Sequence, residues 1–187
     1  YFTRAGGHNL LENIHNIIVT GAGSEIDLIE YYHYEGEVKS RYLLNQVNEI
    51  FVAENAKVNH YKYQNEAFKA NHIAFHAVEQ QAGSQYRSFC LQKGANIARN
   101  ETKIKLCGTD ACAQVDAAYL MNGWATIDTT TDIEHLVPET HSSQVVKGVV
   151  GGDAKGVFQG KIHIAPGAGK TEGTQLHKAL LLSDTAE

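Results

Sequence analysis

One pattern recurs along this chain and limits it to repeat architectures: an apolar strand, a short turn, a small residue, then a second alternating strand. The first copy runs from His15 to Val19 through Gly21-Ala22-Gly23 to Ser24 and on to Tyr31, with Ile26 and Leu28 on one face. The second joins Val47–Val52 to Lys57–Tyr63 around Glu54-Asn55-Ala56, and Val58 falls where Ile26 did. The third joins His72–Val78 to Gln85–Leu91 around Gln81-Ala82-Gly83-Ser84, and the fourth joins Thr102–Leu106 to Ala113–Leu120 around Gly108-Thr109-Asp110-Ala111. A fifth is read from Gln144–Val150 to Lys155–Ile164 around Gly151-Gly152-Asp153-Ala154, and a sixth begins at Ala179. The small residues Ser24, Ala56, Ser84, Ala111 and Ala154 stand 32, 28, 27 and 43 positions apart, so the long step is expected to hold an insertion.

A period near 30 with short strands suits a wide parallel β-helix, whose crossovers are right-handed as a rule. Strand-turn-strand units with Gly and Asp are also how antiparallel hairpins are written, and pattern alone leaves the two level. Against hairpins, the segments 30–45 and 122–143 are long for meander loops, which usually take about 2–5 residues.

The 187 residues fit one folding unit, with 43% hydrophobic and 20% charged residues as in ordinary globular chains. A formal charge of -5, with basic residues no denser than Lys103 and Lys105, gives no footprint for nucleic acid or anionic lipid. No apolar run reaches the roughly 20 residues of a membrane helix. Cys90, Cys107 and Cys112 are too few for a disulfide framework, so a reducing, cytoplasmic setting is expected and the sequon Asn100-Glu101-Thr102 is discounted. The chain starts at Tyr1 without a methionine and stops at Glu187 after an apolar run, and both ends are read as truncations.

Four groups of residues invite chemical readings. Ile164-Ala165-Pro166-Gly167-Ala168-Gly169-Lys170-Thr171 precedes a helix-like Gln175–Leu182 as a phosphate loop would, but it lacks the first glycine, and Pro166 removes an amide. A turn is the better reading. His72 and His76 share a face at i and i+4, yet no third ligand lies nearby, so solvent-facing or stacked histidines are expected. Cys107 and Cys112 are spaced like a zinc half-site that Cys90 would join if coils stacked in register, with packed free thiols as the plainer alternative. His135, Glu139 and His141, with Asp128 and Asp132 upstream, form a polar group without a nucleophile. Thr129 to Thr131, Ser142 and Ser143 read more simply as a hydrogen-bonded ladder and turns.

The motif series resembles the SufB/SufD family of iron-sulfur cluster assembly proteins, and SufD more than SufB. The resemblance rests on Tyr86-Arg87-Ser88-Phe89, Ala98-Arg99-Asn100-Glu101, Asp128–Thr131 through His135, Pro138 and Ser142, Lys147-Gly148-Val149, Gly156–Ile162, and Lys170-Thr171 followed by Gln175 and Leu180–Ser183. It extends more weakly back through Glu54–Val58 and Tyr61-Lys62 to Ser24-Glu25, and departs where Gly169 stands in place of a frequent glutamine.

What the resemblance implies is an all-β, right-handed parallel β-helix core over 1–187, incomplete at both ends because the family's flanking helical regions are absent. It further implies a scaffold subunit rather than an enzyme, paired with a SufB-like paralogue and a SufC-like ATPase, with self-pairing in isolation left open. The cluster would be assembled by the full complex, with no cofactor bound by this segment. No catalytic, cofactor-binding or metal-ligating residue carries over, because the family's functional histidine and cysteine positions follow Ser183. The rival readings are a metal or cluster site built from Cys90, Cys107, Cys112, His72 and His76, and a carbohydrate-active β-helix enzyme supported by fold analogy alone.

Overall fold

A computed structural model describes residues 10–34 and 41–187, and these form twelve strands and no helix. In chain order they are β1 (Leu10–Val19), β2 (Glu25–His33), β3 (Tyr42–Val52), β4 (Lys57–Glu66), β5 (Ala70–Gln80), β6 (Gln85–Gly94), β7 (Ile97–Leu106), β8 (Cys112–Met121), β9 (Thr126–His135), β10 (His141–Val150), β11 (Lys155–Ile164) and β12 (Glu172–Leu181). Odd-numbered strands make one six-stranded sheet, A, and even-numbered strands a second, B, each in sequential order and each parallel throughout. Every coil therefore lays one strand in A, turns, lays one in B, and turns back. This is a β-solenoid of six coils, and the antiparallel meander is excluded.

The turn from A to B explains the repeat. The residue before each small residue has a left-handed backbone: Gly23, Asn55, Gly83, Asp110, Glu139 and Lys170 all have φ between 55° and 68°. Glycine, asparagine and aspartate tolerate that conformation best, which is why they punctuate the repeat. At Gly83 a Cβ would sit 2.3 Å from Asn55 Oδ1 of the neighbouring coil, so the Asn55 amide would have to turn away. The small residues that follow stack by backbone hydrogen bonds from one coil to the next, Lys57 N to Ser24 O, Gln85 N to Ala56 O, Cys112 N to Ser84 O, His141 N to Ala111 O and Glu172 N to Thr140 O.

That column corrects the expected period. Its fifth member is Thr140, not Ala154, and its sixth is Thr171, so the steps are 32, 28, 27, 29 and 31 and no insertion exists. Ala154 lies at the opposite turn, where Lys155 N bonds to Ala125 O. The expected fifth unit had paired β10 with β11 across the wrong bend, and the supposed insertion contains β9. Both bends use Gly and Asp before a small buried residue, so the composition of Gly151–Ala154 imitates the other turn. The expected helix-like segment Gln175–Leu182 is likewise strand, since β12 spans Glu172–Leu181.

Alternate side chains enter the space between the sheets. Along sheet A beside the first turn, Ile18, Ile50, Val78, Ile104, Ile133 and Ile162 stand in register on successive strands. Burial of each such side chain is worth about 1.5–3 kcal/mol. Opposite them on sheet B lie Val58, Tyr86, Ala113 and Val115. A second apolar cluster, including Ala98, Ala117, Tyr119, Ile127, Val146 and Val150, fills the far side of the later coils. Between the two, the middle of the early coils is polar.

Candidate functional site

The polar centre follows from strand parity. In β2 the alternation that buries Ile26 and Leu28 continues inward to Glu30 and Tyr32, and in β4 the phase set by Val58 carries His60, Lys62, Gln64 and Glu66 into the interior. The apolar residues between them face out instead. Ile29 is 72% exposed and Tyr31 63%, and Tyr31 stacks on Tyr63 of the next coil with ring centroids 5.1 Å apart. β5 adds His72 and His76 from the facing sheet, both buried, and β3 adds Gln46 and Asn48.

Lys62 organises one half of this network. Its three N–H donors meet three acceptors: Gln46 Oε1 at 3.3 Å, His72 Nε2 at 2.9 Å and Asn100 Oδ1 at 2.7 Å. An ammonium has no acceptor, so His72 Nε2 must accept, and its proton sits on Nδ1, which donates to Glu66 Oε2 at 2.7 Å. Glu66 also accepts from Tyr42 Oη at 3.0 Å and from Gln64 Nε2 at 3.1 Å. Burial would raise the Glu66 carboxyl, but the His72 bond, with Tyr42 and Gln64, holds it below the usual range. Burial, then the nearby Lys62 charge, lowers His72 and keeps it neutral.

The other half centres on Glu30. Its Oε1 accepts from the amides of Asn48 and Gln46, and Asn48 also reaches His76 Nδ1 at 3.1 Å. His60 Nδ1 meets Tyr86 Oη at 2.8 Å, while His60 Nε2 lies 3.4 Å from Glu30 Oε1 without hydrogen-bond alignment. Burial opposes ionisation, but the His60 contact and then the Lys62 charge pull the Glu30 carboxyl well below its ordinary value. His76 is pushed far down, by burial first and by the Lys62 charge next. His60 and His76 rings meet edge to face at 5.2 Å. A cavity of about 30 Å³, lined in part by His60, Lys62, His76 and Cys90, opens beside them.

The structure departs from expectation at the histidine pair and follows it at the phosphate-like turn and the hydroxyl ladder. His72 and His76 do share a face, but it is the interior one, where they meet the Tyr32 and His60 rings edge to face instead of facing solvent, and Glu30 and His60 stand near His76 where no further ligand was expected. The cysteines do not converge: Cys112 pairs with Gln85 at the start of β6, whereas Cys90 lies five residues further along that strand, about 16 Å away at the usual strand rise. Burial pushes the inward Cys90 thiol up to about 11, as for a packed free thiol.

Lys170 occupies a left-handed turn position, pairs with Glu139 at 2.8 Å and is followed by a strand, so no helix terminus exists there to receive phosphate. His135 is buried between Thr140 Oγ1 and Ser142 Oγ, each 2.8 Å away, which is the ladder expected of those hydroxyls. Asp128 pairs with Arg99 at 2.9 Å and Asp132 with Lys161 at 3.5 Å on the outer face of sheet A, so the polar group around His135 is not a single site. Asn100 faces inward onto Lys62, which closes it to glycosylation in the folded chain.

Residues 2–187 match the family model described as the SUF system FeS cluster assembly, SufBD core domain. The chain belongs to the SufBD core family. Its relatives include the iron-sulfur cluster assembly SufBD family protein slr0076 of Synechocystis, 30% identical over 145 residues, covering 78% of this chain and 32% of that protein. The chloroplastic protein ABCI7 of Arabidopsis thaliana is 27% identical over 170 residues, 90% of this chain and 36% of that one. The iron-sulfur cluster assembly protein SufD of Escherichia coli is 28% identical over 174 residues, 88% of this chain and 38% of that one. The SufBD chain thus spans about a third of the length of the curated relatives it matches. No helix among its described residues is long and apolar enough to cross a membrane.

Proposed function

We propose that this SufBD-core chain is the β-solenoid of a SufD-type scaffold subunit, which works with a SufB-like paralogue and a SufC-like ATPase and has no turnover of its own. The observation that carries the reading is the family match across residues 2–187, whose description is iron-sulfur cluster assembly. A relative named SufD supports the SufD type. In this reading the cluster is cargo of the complex, the solenoid supplies shape and contact surface, and the setting is the cytoplasm.

The outer face of sheet B supports a partner-binding role. Ile29, Tyr61 and Phe89 stand in register across three coils and are 72%, 48% and 42% exposed, beside the exposed Tyr31. Contiguous exposed apolar area of this kind marks interaction surfaces. The separation of Cys90 from Cys112 weighs against a three-thiolate site, and the engagement of Asp128, Asp132 and Glu134 on sheet A by Arg99, Lys103 and Lys161 weighs against glycoside chemistry there.

The test is co-expression of the tagged protein with SufB-like and SufC-like subunits, followed by affinity purification at physiological salt. Recovery of both partners is expected, with Tyr61→Lys reducing the yield of at least one. Absence of both from every preparation sinks the proposal.

A further inference from the structure

Glu30, His60 and His76 come from three successive coils and from both sheets, yet each offers a ligand atom within 4.8 Å of the other two. Two atoms of this set, Glu30 Oε2 and His60 Nε2, are buried and have no hydrogen-bond partner. Buried polar atoms without partners are uncommon in native proteins and call for an occupant or a role. The adjoining cavity of about 30 Å³ has room for one water-sized guest.

The charges point the same way. Two carboxylates, Glu30 and Glu66, lie with side chains almost fully enclosed in this network, and Lys62 is its one amine. The set is short of positive charge, which favours a cation over an anion as its occupant. Lys62 does not reach the unpartnered atoms, because all three of its protons are already used on Gln46, His72 and Asn100.

We propose that Glu30, His60 and His76 form a buried site for one divalent transition-metal ion of the zinc or ferrous class. Two neutral imidazoles and a carboxylate are a borderline-soft donor set that favours such ions over magnesium or calcium. Metal–ligand distances near 2.0–2.2 Å require the three side chains to close in by torsional adjustment, and the Asn48 amide yields its place between Glu30 and His76. Tyr86 Oη then accepts a hydrogen bond from His60 Nδ1–H, fixing the ring as outer-sphere partners of metal-bound histidines do. The site is independent of the scaffold reading: it stands on these side chains whether or not partners bind.

The probes are Zn²⁺ and Co²⁺ added to the purified chain, once to folded protein and once during refolding from urea so that slow entry is covered. The expected result is one equivalent of bound metal by elemental analysis, and for Co²⁺ ligand-field bands without a thiolate charge-transfer band. Binding is expected to persist in a variant with Cys90, Cys107 and Cys112 all replaced by serine, and to weaken at least tenfold in Glu30→Gln and in His76→Gln with circular dichroism unchanged. Should either variant fail to fold, the Co²⁺ spectrum of the wild type still decides, since imidazole and carboxylate ligation differs from thiolate ligation. No stoichiometric metal under either protocol overturns the proposal, as does binding that requires the cysteines.

Discussion

One register position of sheet B reads Glu30, Lys62, Cys90, Ala117 and Val146 over the first five coils and ends on the exposed His177. The ladder is the same at each, yet the first two coils bury charge there and the fourth and fifth bury methyl groups. At a neighbouring position of sheet A, Asn48 and His76 give way to the smaller Thr102 and Thr131. The ladder that defines the solenoid therefore does not dictate what fills it. Aliphatic filling is the stable default, and a buried ion pair is often no better than well-packed hydrophobic residues of similar volume. The early coils keep ionic groups where the fold does not require them, which suits a site and not a strut.

The largest expected effect breaks the early half. Lys62→Met leaves the acceptors of Gln46, His72 and Asn100 without their donor and Glu30 and Glu66 without their cation, and about 3–5 kcal/mol of stability should be lost in urea unfolding. Adding Glu30→Gln to that variant should restore part of the loss. If the double variant is as weak as the sum of the singles, Lys62 and Glu30 are not coupled as described.

Next comes Ile133→Ala in the aliphatic column, expected to cost about 2–5 kcal/mol, and the same change at Ile50 of the early coils should cost a similar amount because that column is uniform. A difference larger than about 2 kcal/mol between the two would show that the halves differ in packing as well as in charge. Smaller again is Gly148→Ala in the later half. The Tyr119 ring lies across Gly148, where a Cβ would sit 2.0 Å from it, and also fills the space beside Gly156 at 2.8 Å. A loss of about 1–3 kcal/mol is expected, with relief when Tyr119→Leu is added.

The gentlest perturbation is acid. His72 and His76 are lowered below 6.5, so the unfolded chain binds protons there that the folded chain refuses, and stability falls as pH drops beneath that value. Glu30 and Glu66 are lowered below 4.5, so their contribution is present above that value and is lost as pH falls through their folded values. Both effects lie in the early coils. Urea midpoints followed from about pH 7 to about pH 5 should therefore drop in the wild type and drop less in a variant with His72 and His76 replaced by glutamine.

The strand repeat was legible because strands β1 to β8 keep apolar residues on one side of each A-to-B turn and mark the bend with Gly, Asn or Asp. It slipped by half a coil at Ala154, because the left-handed positions in coils five and six are Glu139 and Lys170, residue types that do not announce such a turn. β9 stayed hidden for a related reason: Thr129 and Thr131 fill core positions with hydroxyls that pair with Gln92 and Gln144, so its inward face does not look apolar. The charged site was missed because in β2 and β4 the usual alternation is inverted, with Ile29, Tyr31 and Tyr61 outside. Parity counted from Ile26 and Val58 was the available signal. The motif resemblance carried the family correctly, but it could not locate a site that depends on three coils meeting.

The stacked turn residues have a consequence for how such a molecule can change. Because Ser24, Ala56, Ser84, Ala111, Thr140 and Thr171 follow one another at nearly constant spacing, distance along the molecular axis is proportional to position in the chain. Excising or duplicating the stretch between two of them moves everything beyond by one fixed increment and leaves all other neighbours in place. The solenoid works as a graduated rod, on which inherited rearrangements can change length without changing the local chemistry of any mark.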